Sequence, residues 1–278
     1  NRSRPVPTET STPYVPYYSA DEYSFFLKSG SLKNITRILG DSIHFWNEMM
    51  EHPNYDTWWQ DRDTRRACYN IKPAVLVVGG LFDAEDCFGA WQLYNAIHRQ
   101  SPNTDLNLIM GPWYHGAWEG NDGSYLGNIR FGSKTVLYYQ NQIEFPFLQY
   151  YLNGKGAPAS DNRKVNVFFS GKNQWETFSS WPVKQAKEIS FYPSERGKLS
   201  TTLPTEENSF SSYVSDPDIP VPYTQEIVHS REKEYMTEDQ RFAERRPDVL
   251  CFKTEPLKEE LTVGGPIDVD LEVELSTT

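Results

Sequence analysis

Two short blocks of this chain carry side chains capable of proton chemistry, and each sits just beyond an apolar run. Gly79-Gly80-Leu81-Phe82-Asp83-Ala84-Glu85-Asp86 follows Ala74–Val78, and Gly111-Pro112-Trp113-Tyr114-His115-Gly116 follows Leu106–Met110. A carboxylate that holds one imidazole nitrogen fixes the tautomer and stabilises the imidazolium, while the other nitrogen takes a proton from a hydroxyl nucleophile. Asp83 and His115 are the candidates for those two roles. Alone, Asp83 would read as a turn or helix-cap residue and His115 as a loop histidine. Their paired placement after two successive strand-like runs favours the proton relay.

Glu85 and Asp86 add charge to the first block. Three carboxylates this close repel one another unless a cation resides among them. A substrate ammonium is the simplest such cation. Two other readings stand beside it: Asp86 capping a helix that begins near Cys87, with Glu85 favouring its N-terminal dipole, or a calcium ion, although the ligand spacing of a dedicated calcium loop is absent. Trp113, Tyr114 and Trp118 flank His115 as an aromatic wall or as core. His44, His52, His98 and His229 read as packing or surface residues.

The elements that must position these groups follow from pattern. A strand ending in Gly-Gly that hands an Asp to a loop presents it at the carboxyl edge of an α/β sheet, where such sheets bind ligands. Phe88, Trp91, Leu93, Tyr94 and Ile97 give an apolar helical face, so the chain runs strand, crossover helix, strand. The order Asp then His matches the last two members of the Ser, acid, His order of α/β-hydrolases. The nucleophile-elbow pattern G-x-S-x-G is absent from the sequence, only residues 1–73 precede Ala74, and the chain begins at Asn1. It is expected to be an internal piece of a longer enzyme whose nucleophilic Ser lies upstream.

Residues 1–20 carry Pro5, Pro7, Pro13 and Pro16 and read as an extended surface segment. Asp21 opens a predicted helix over Glu22–Ser29, closed by Gly30. Ile35, Ile38, Leu39, Ile43, Phe45, Trp46, Met49 and Met50 predict one amphipathic helix from Ile35 to Met50, and a short helix is predicted over Tyr55–Asp61. Helices inserted here would cap the site. A helix over about 133–153 is expected to start or kink at Pro146. Beyond Gly154, Val165–Phe169, Glu188–Tyr192, Val249–Phe252 and Ile267–Leu275 read as strands, the last alternating Ile, Val and Leu with Asp and Glu. The expected fold class is α/β: a helical cap remnant (1–70), the C-terminal part of an α/β-hydrolase sheet (71–160), and an incomplete all-β jelly-roll-like domain (161–278).

Composition bounds the function. At 278 residues, 38% hydrophobic and 23% charged, the balance is that of a globular protein. The net charge of −11 argues against a nucleic-acid groove, and no run approaches a membrane span. Cys68, Cys87 and Cys251 form neither a zinc pattern nor a disulfide framework.

Leu81–Asp86, Gly111–Gly116 and Arg246-Pro247-Asp248-Val249-Leu250 together resemble the α-amino-acid ester hydrolases, part of the wider group of cocaine esterase, glutaryl acylases and X-prolyl dipeptidyl peptidases. Phe45-Trp46, His52–Asp56 and Trp59 look like the cap of that family, and Asp216-Pro217 with Pro220-Val221-Pro222 look like its jelly roll. The resemblance implies Asp83 as triad acid, His115 as base, and Glu85 with Asp86 in a carboxylate cluster for the substrate α-ammonium. It implies a serine hydrolase or acyltransferase acting on α-amino acyl esters and β-lactam amides, with no metal or organic cofactor, in an exported protein. A homo-oligomeric full-length protein is also expected. The rivals are a glutaryl acylase, a plain esterase, an X-prolyl or dipeptidyl aminopeptidase, and a non-catalytic binding module.

Overall fold

The computed structural model describes residues 19, 21–40, 43–156, 164–205, 209–229 and 232–276. The Pro-rich stretch before Ser19 lies outside them. Helix α1 (Glu22–Ser29) begins at Asp21, whose Oδ1 accepts from Ser24 N at 2.7 Å, and ends at Gly30 with φ 67°. These are the capping and left-handed termination expected of Asp and Gly at helix ends. The single helix expected over Ile35–Met50 is instead two, α2 (Leu32–Leu39) and α3 (His44–Glu51). Gly40, at φ 59°, ends α2, a backbone turn that hydrophobic periodicity does not register. Asp56 caps the short α4 (Thr57–Gln60) by accepting from Trp58 N at 3.0 Å.

The centre of the molecule is a four-stranded sheet in which β1 (Val75–Gly80), β2 (Leu106–Gly111), β5 (Val165–Phe169) and β6 (Gln174–Phe178) lie side by side in that order. Strand β1 runs parallel to β2 in a register that aligns Gly80 with Gly111, so both strands end at the same rim. Helix α5 (Cys87–Gln100) connects them. Its Ala90, Tyr94, Ala96 and Ile97 pack on Val77, Leu106, Leu108 and Met110. On the opposite face Ile109 meets Trp113, Ala117, Val136 and Tyr139. Burial on both faces is the environment of a parallel strand inside an α/β sheet, and each fully buried Leu, Ile or Met contributes about 1.5–3 kcal/mol.

Beyond β2 come the short helix α6 (Ala117–Gly120), the two-residue strands β3 (Tyr125–Leu126) and β4 (Ile129–Arg130), and helices α7 (Thr135–Tyr139) and α8 (Phe145–Asn153). A π-helical turn over Gln140–Glu144 separates α7 from α8, with Pro146 in the first turn of α8. Pro146 lacks the N–H an uninterrupted α-helix would require there, and the wider turn accommodates it.

The strand expected to open the all-β domain belongs elsewhere. Val165–Phe169 is β5 and pairs parallel with β2, Leu108 opposite Val165, while β6 (Gln174–Phe178) returns antiparallel to it. Val165 and Val167 join the core under α5, a site for apolar side chains that local pattern cannot distinguish from a sandwich interior. Among the described residues after 178, the strands are β7 (Tyr192–Ser194) and β8 (Lys198–Ser200), with a bridge from Lys198 to Lys253. Glu188–Phe191 and Val249–Phe252 hold no strand. Ile267–Leu275 holds none either, and Ile267, Val269, Leu271, Val273 and Leu275 are exposed along with the acidic residues between them. Alternation supplies two faces, but a strand also needs a hydrogen-bonded neighbour, and among the described residues no pairing reaches this stretch.

Candidate active site

The two loops that follow β1 and β2 are knitted together by backbone before any side chain acts. Leu81 N donates to Gly111 O at 2.8 Å and Phe82 N to Trp113 O at 3.0 Å. Both strand-ending glycines are required by this approach. A Cβ on Gly80 would lie 2.2 Å from Trp113 O, and one on Gly111 would lie 2.4 Å from the Trp113 indole. Trp113 is fully buried and its Nε1 donates to Thr135 Oγ1 at 2.9 Å, so of the two readings of this residue the core one holds.

On that platform Asp83 and His115 meet, with His115 Nδ1 3.0 Å from Asp83 Oδ2. The Asp83 side chain is 0% exposed and the imidazole 51% exposed. Asp83 Oδ1 accepts from the backbone N–H of Glu85 at 2.8 Å and of Asp86 at 3.0 Å. One oxygen thus holds the turn that leads into α5 and the other faces the ring, which locks the carboxylate's orientation. Its turn role and its pairing with His115 are compatible because they use different oxygens.

Asp86 occupies the N-cap position of α5, yet its side chain makes no capping hydrogen bond. Its Oδ2 instead lies 3.6 Å from His115 Nδ1, with the side chain 67% exposed. Glu85 is exposed as well. The hydrogen bond to Asp83 and then its charge hold the His115 pKa above the usual imidazole value, and Glu85 and Asp86 add to the rise. Burial, and secondarily the charge of Asp83, push the nearby Cys87 thiol up, away from the lowered range of a reactive cysteine. Among the described residues no group of three or more His, Cys, Asp or Glu side chains forms a metal cage, and no helix is long and apolar enough to cross a membrane.

The remaining histidines lie in other settings. His52 Nδ1 contacts Asp56 Oδ2 at 2.6 Å and its ring stacks on Trp58, centroids 5.0 Å apart, within the helical region before β1. That hydrogen bond lowers the Asp56 pKa. His98 stacks on Tyr94. Lys233, which reaches Tyr114 on the His115 loop, and Thr237, which reaches Gly127 between β3 and β4, come from far along the chain and escape sequence reasoning, and no local pattern in the sequence signals them.

An α/β sheet with parallel strands ending at one loop-bearing rim, helices on both faces and a further unit downstream is the α/β-hydrolase class of fold. Residues 21–117 match the model of the X-Pro dipeptidyl-peptidase (S15 family), and residues 148–278 match that of the X-Pro dipeptidyl-peptidase C-terminal non-catalytic domain. The chain is 25% identical over 241 residues to the cocaine esterase of Rhodococcus sp. (strain MB1 Bresler), covering 83% of this chain and 40% of that protein. It superposes on an aminopeptidase from a marine sediment Thaumarchaeota archaeon with a TM-score of 0.80 and 33% identity, covering 87% of this chain and 40% of that one. A selenomethionine-labelled α-amino acid ester hydrolase gives a TM-score of 0.81 and 34% identity over 90% of this chain and 43% of its own. The chain thus matches the S15 and C-terminal X-Pro dipeptidyl-peptidase models in two successive stretches and spans less than half the length of the relatives it is similar to.

Proposed function

We propose that the full-length protein is a serine hydrolase that cleaves or transfers α-amino acyl groups from esters, and from β-lactam amides, through an acyl-enzyme. The observation that carries this reading is the 3.0 Å contact between the His115 Nδ1 and the buried, doubly hydrogen-bonded Asp83 carboxylate at the common rim of β1 and β2. With Nδ1–H donated to Asp83, Nε2 is the nitrogen that accepts the proton as a serine hydroxyl attacks the acyl carbonyl. His115 then returns that proton to the leaving alcohol or amine. In the second half it deprotonates the water that releases the acyl group. The sequence holds no G-x-S-x-G elbow, and this reading takes the hydroxyl from elsewhere in the full-length protein.

Glu85 and Asp86 supply the selectivity in this reading. Two exposed carboxylates on the same turn as the acid, one within 3.6 Å of the imidazole, suit a substrate ammonium placed a few ångströms from the reacting carbonyl. Binding energy from the amine then positions the bond that breaks. An anionic glutaryl side chain would be repelled by the same pair. An aminopeptidase reading shares the ammonium and is favoured by the likeness to the archaeal aminopeptidase and by the S15 match.

The test compares an α-amino ester with its des-amino analogue in the full-length protein. Asp86→Asn is expected to lower kcat/KM about 10- to 100-fold on the amine substrate, the worth of a hydrogen bond to a charged group, with little change on the analogue. Equal losses on both substrates reject the ammonium role. His115→Ala is expected to abolish both activities, and retained turnover removes it from the relay.

A further inference from the structure

The loop that carries His115 is gripped from the C-terminal region. Tyr114 packs against a cluster of Leu126, Phe131 and Phe168 that also holds Phe82. The residues preceding Asp83 and His115 therefore share one apolar support. The Lys233 ammonium lies 4.8 Å from the centroid of the Tyr114 ring. Lys233 opens the 3₁₀ turn Lys233–Thr237, which Thr237 Oγ1 closes by donating to Glu234 O at 2.8 Å.

The same turn also meets the β3–β4 connection, whose Leu126 belongs to the apolar cluster under Tyr114. Leu126 ends β3, and Gly127 follows it at φ 53° in the tight connection to β4. A Cβ on Gly127 would lie 2.5 Å from Thr237 Oγ1 and 3.4 Å from Glu234 Cβ. The turn is itself anchored, with the Tyr235 ring edge-on to Tyr223 at 5.6 Å and Gln240 Nε2 donating to Tyr223 O at 2.9 Å. A cation on a ring and a glycine-dependent close approach are independent contacts, and both join residues 233–237 to the support of the His115 loop.

We propose that the turn Lys233–Thr237 is a positioning element for the base: Lys233, through Tyr114, and Thr237, through Gly127, hold the loop so that His115 stays on Asp83. This rests on reading His115 as the base. Neither residue need touch the reacting atoms. The turn lies within the stretch matched to the non-catalytic C-terminal domain, so that domain would contribute to catalysis by placement. The ring is half-exposed, and a displacement of about 1 Å in a reacting group costs about 100-fold in rate.

The experiment uses the full-length protein with Lys233→Ala, Lys233→Arg, Gly127→Ala and Gly127→Ala/Thr237→Ala, measuring kcat, KM and the titration of the His115 ring by NMR. Lys233→Ala is expected to lower kcat about tenfold with KM within about twofold, a loss confined to the chemical step. The ring should titrate closer to the ordinary imidazole range as its bond to Asp83 loosens. Lys233→Arg should restore both, since a guanidinium also sits over an aromatic face. Gly127→Ala, whose Cβ would meet Thr237 Oγ1 at 2.5 Å at a φ of 53°, should reproduce the defect, and Thr237→Ala in that background should not restore the parent rate, since it removes the anchoring side chain together with the clash. Unchanged kcat and ring titration in folded Lys233→Ala and Gly127→Ala variants overturn the proposal. So does a loss confined to KM, which would place Lys233 on the substrate. If His115→Ala retains turnover, the base assignment fails, and the ring titration still decides whether the turn positions the imidazole.

Discussion

Asp83→Asn separates the two jobs of one carboxylate. Asn is nearly isosteric, and its Oδ1 can keep accepting from the backbone N–H of Glu85 and Asp86, bonds of 2.8 and 3.0 Å in the parent. The start of α5 should therefore survive. Opposite His115, the carboxylate oxygen becomes an amide NH₂, which can only donate. It would select the tautomer with a bare Nδ1 and leave the proton on Nε2, the wrong nitrogen for a base. The expected loss is about 10⁴-fold in kcat, as for the equivalent change in serine-protease triads. Asp83→Ala also leaves the two turn N–H groups without their acceptor and is expected to cost about 1 kcal/mol more in stability than Asn. Steady-state kinetics and urea denaturation of the full-length variants supply both numbers. The reasoning fails if Asp83→Asn keeps kcat within about tenfold of the parent, or if it destabilises the fold as much as Ala does.

The raised His115 pKa has a definite sign in a pH profile. Because the base must be neutral, kcat/KM should climb with pH and reach half its plateau above the ordinary imidazole value of about 6.5. Asp86→Asn should move that midpoint down slightly. The pair's contribution to folding is complete below the unfolded imidazole pKa and is lost as pH rises through the folded one, which denaturation at a series of pH values will show. Gly111→Ala, whose new Cβ would sit 2.4 Å from the buried Trp113 ring, should destabilise by about 1–3 kcal/mol through overpacking. Leu108→Ala, at a fully buried position, should cost about 2–5 kcal/mol through the cavity it leaves. Urea midpoints check both.

Much of the site was legible because its causes are local. An apolar run, a Gly pair and an acid describe a strand end and its loop, and two such blocks in succession describe neighbouring strands of a parallel sheet. Asp21 and Gly30 delimit α1 by the same kind of short-range chemistry. Reading failed where a single backbone position or a distant partner intervened. Gly40 divides what periodicity joined into one helix. Val165–Phe169 has a pattern that suits any buried strand, and its place beside Leu108–Met110 depends on which edge of the sheet it reaches. The alternation of Ile267–Leu275 describes side chains, whereas a strand is defined by backbone pairing that these residues lack among the described ones.

By itself, the sequence determined that a carboxylate and an imidazole would be handed to one sheet rim, because residues adjacent to strand ends have nowhere else to go. Tertiary structure alone decided the division of labour among the three carboxylates. Asp83 is buried and spends one oxygen on two backbone amides and the other on His115, while Asp86 is left in solvent beside the ring. That choice follows from how closely the β1 and β2 loops approach through Gly80, Gly111 and Trp113. The placement of Lys233 over Tyr114 likewise arises from folding across more than a hundred residues, a scale on which local pattern carries no information.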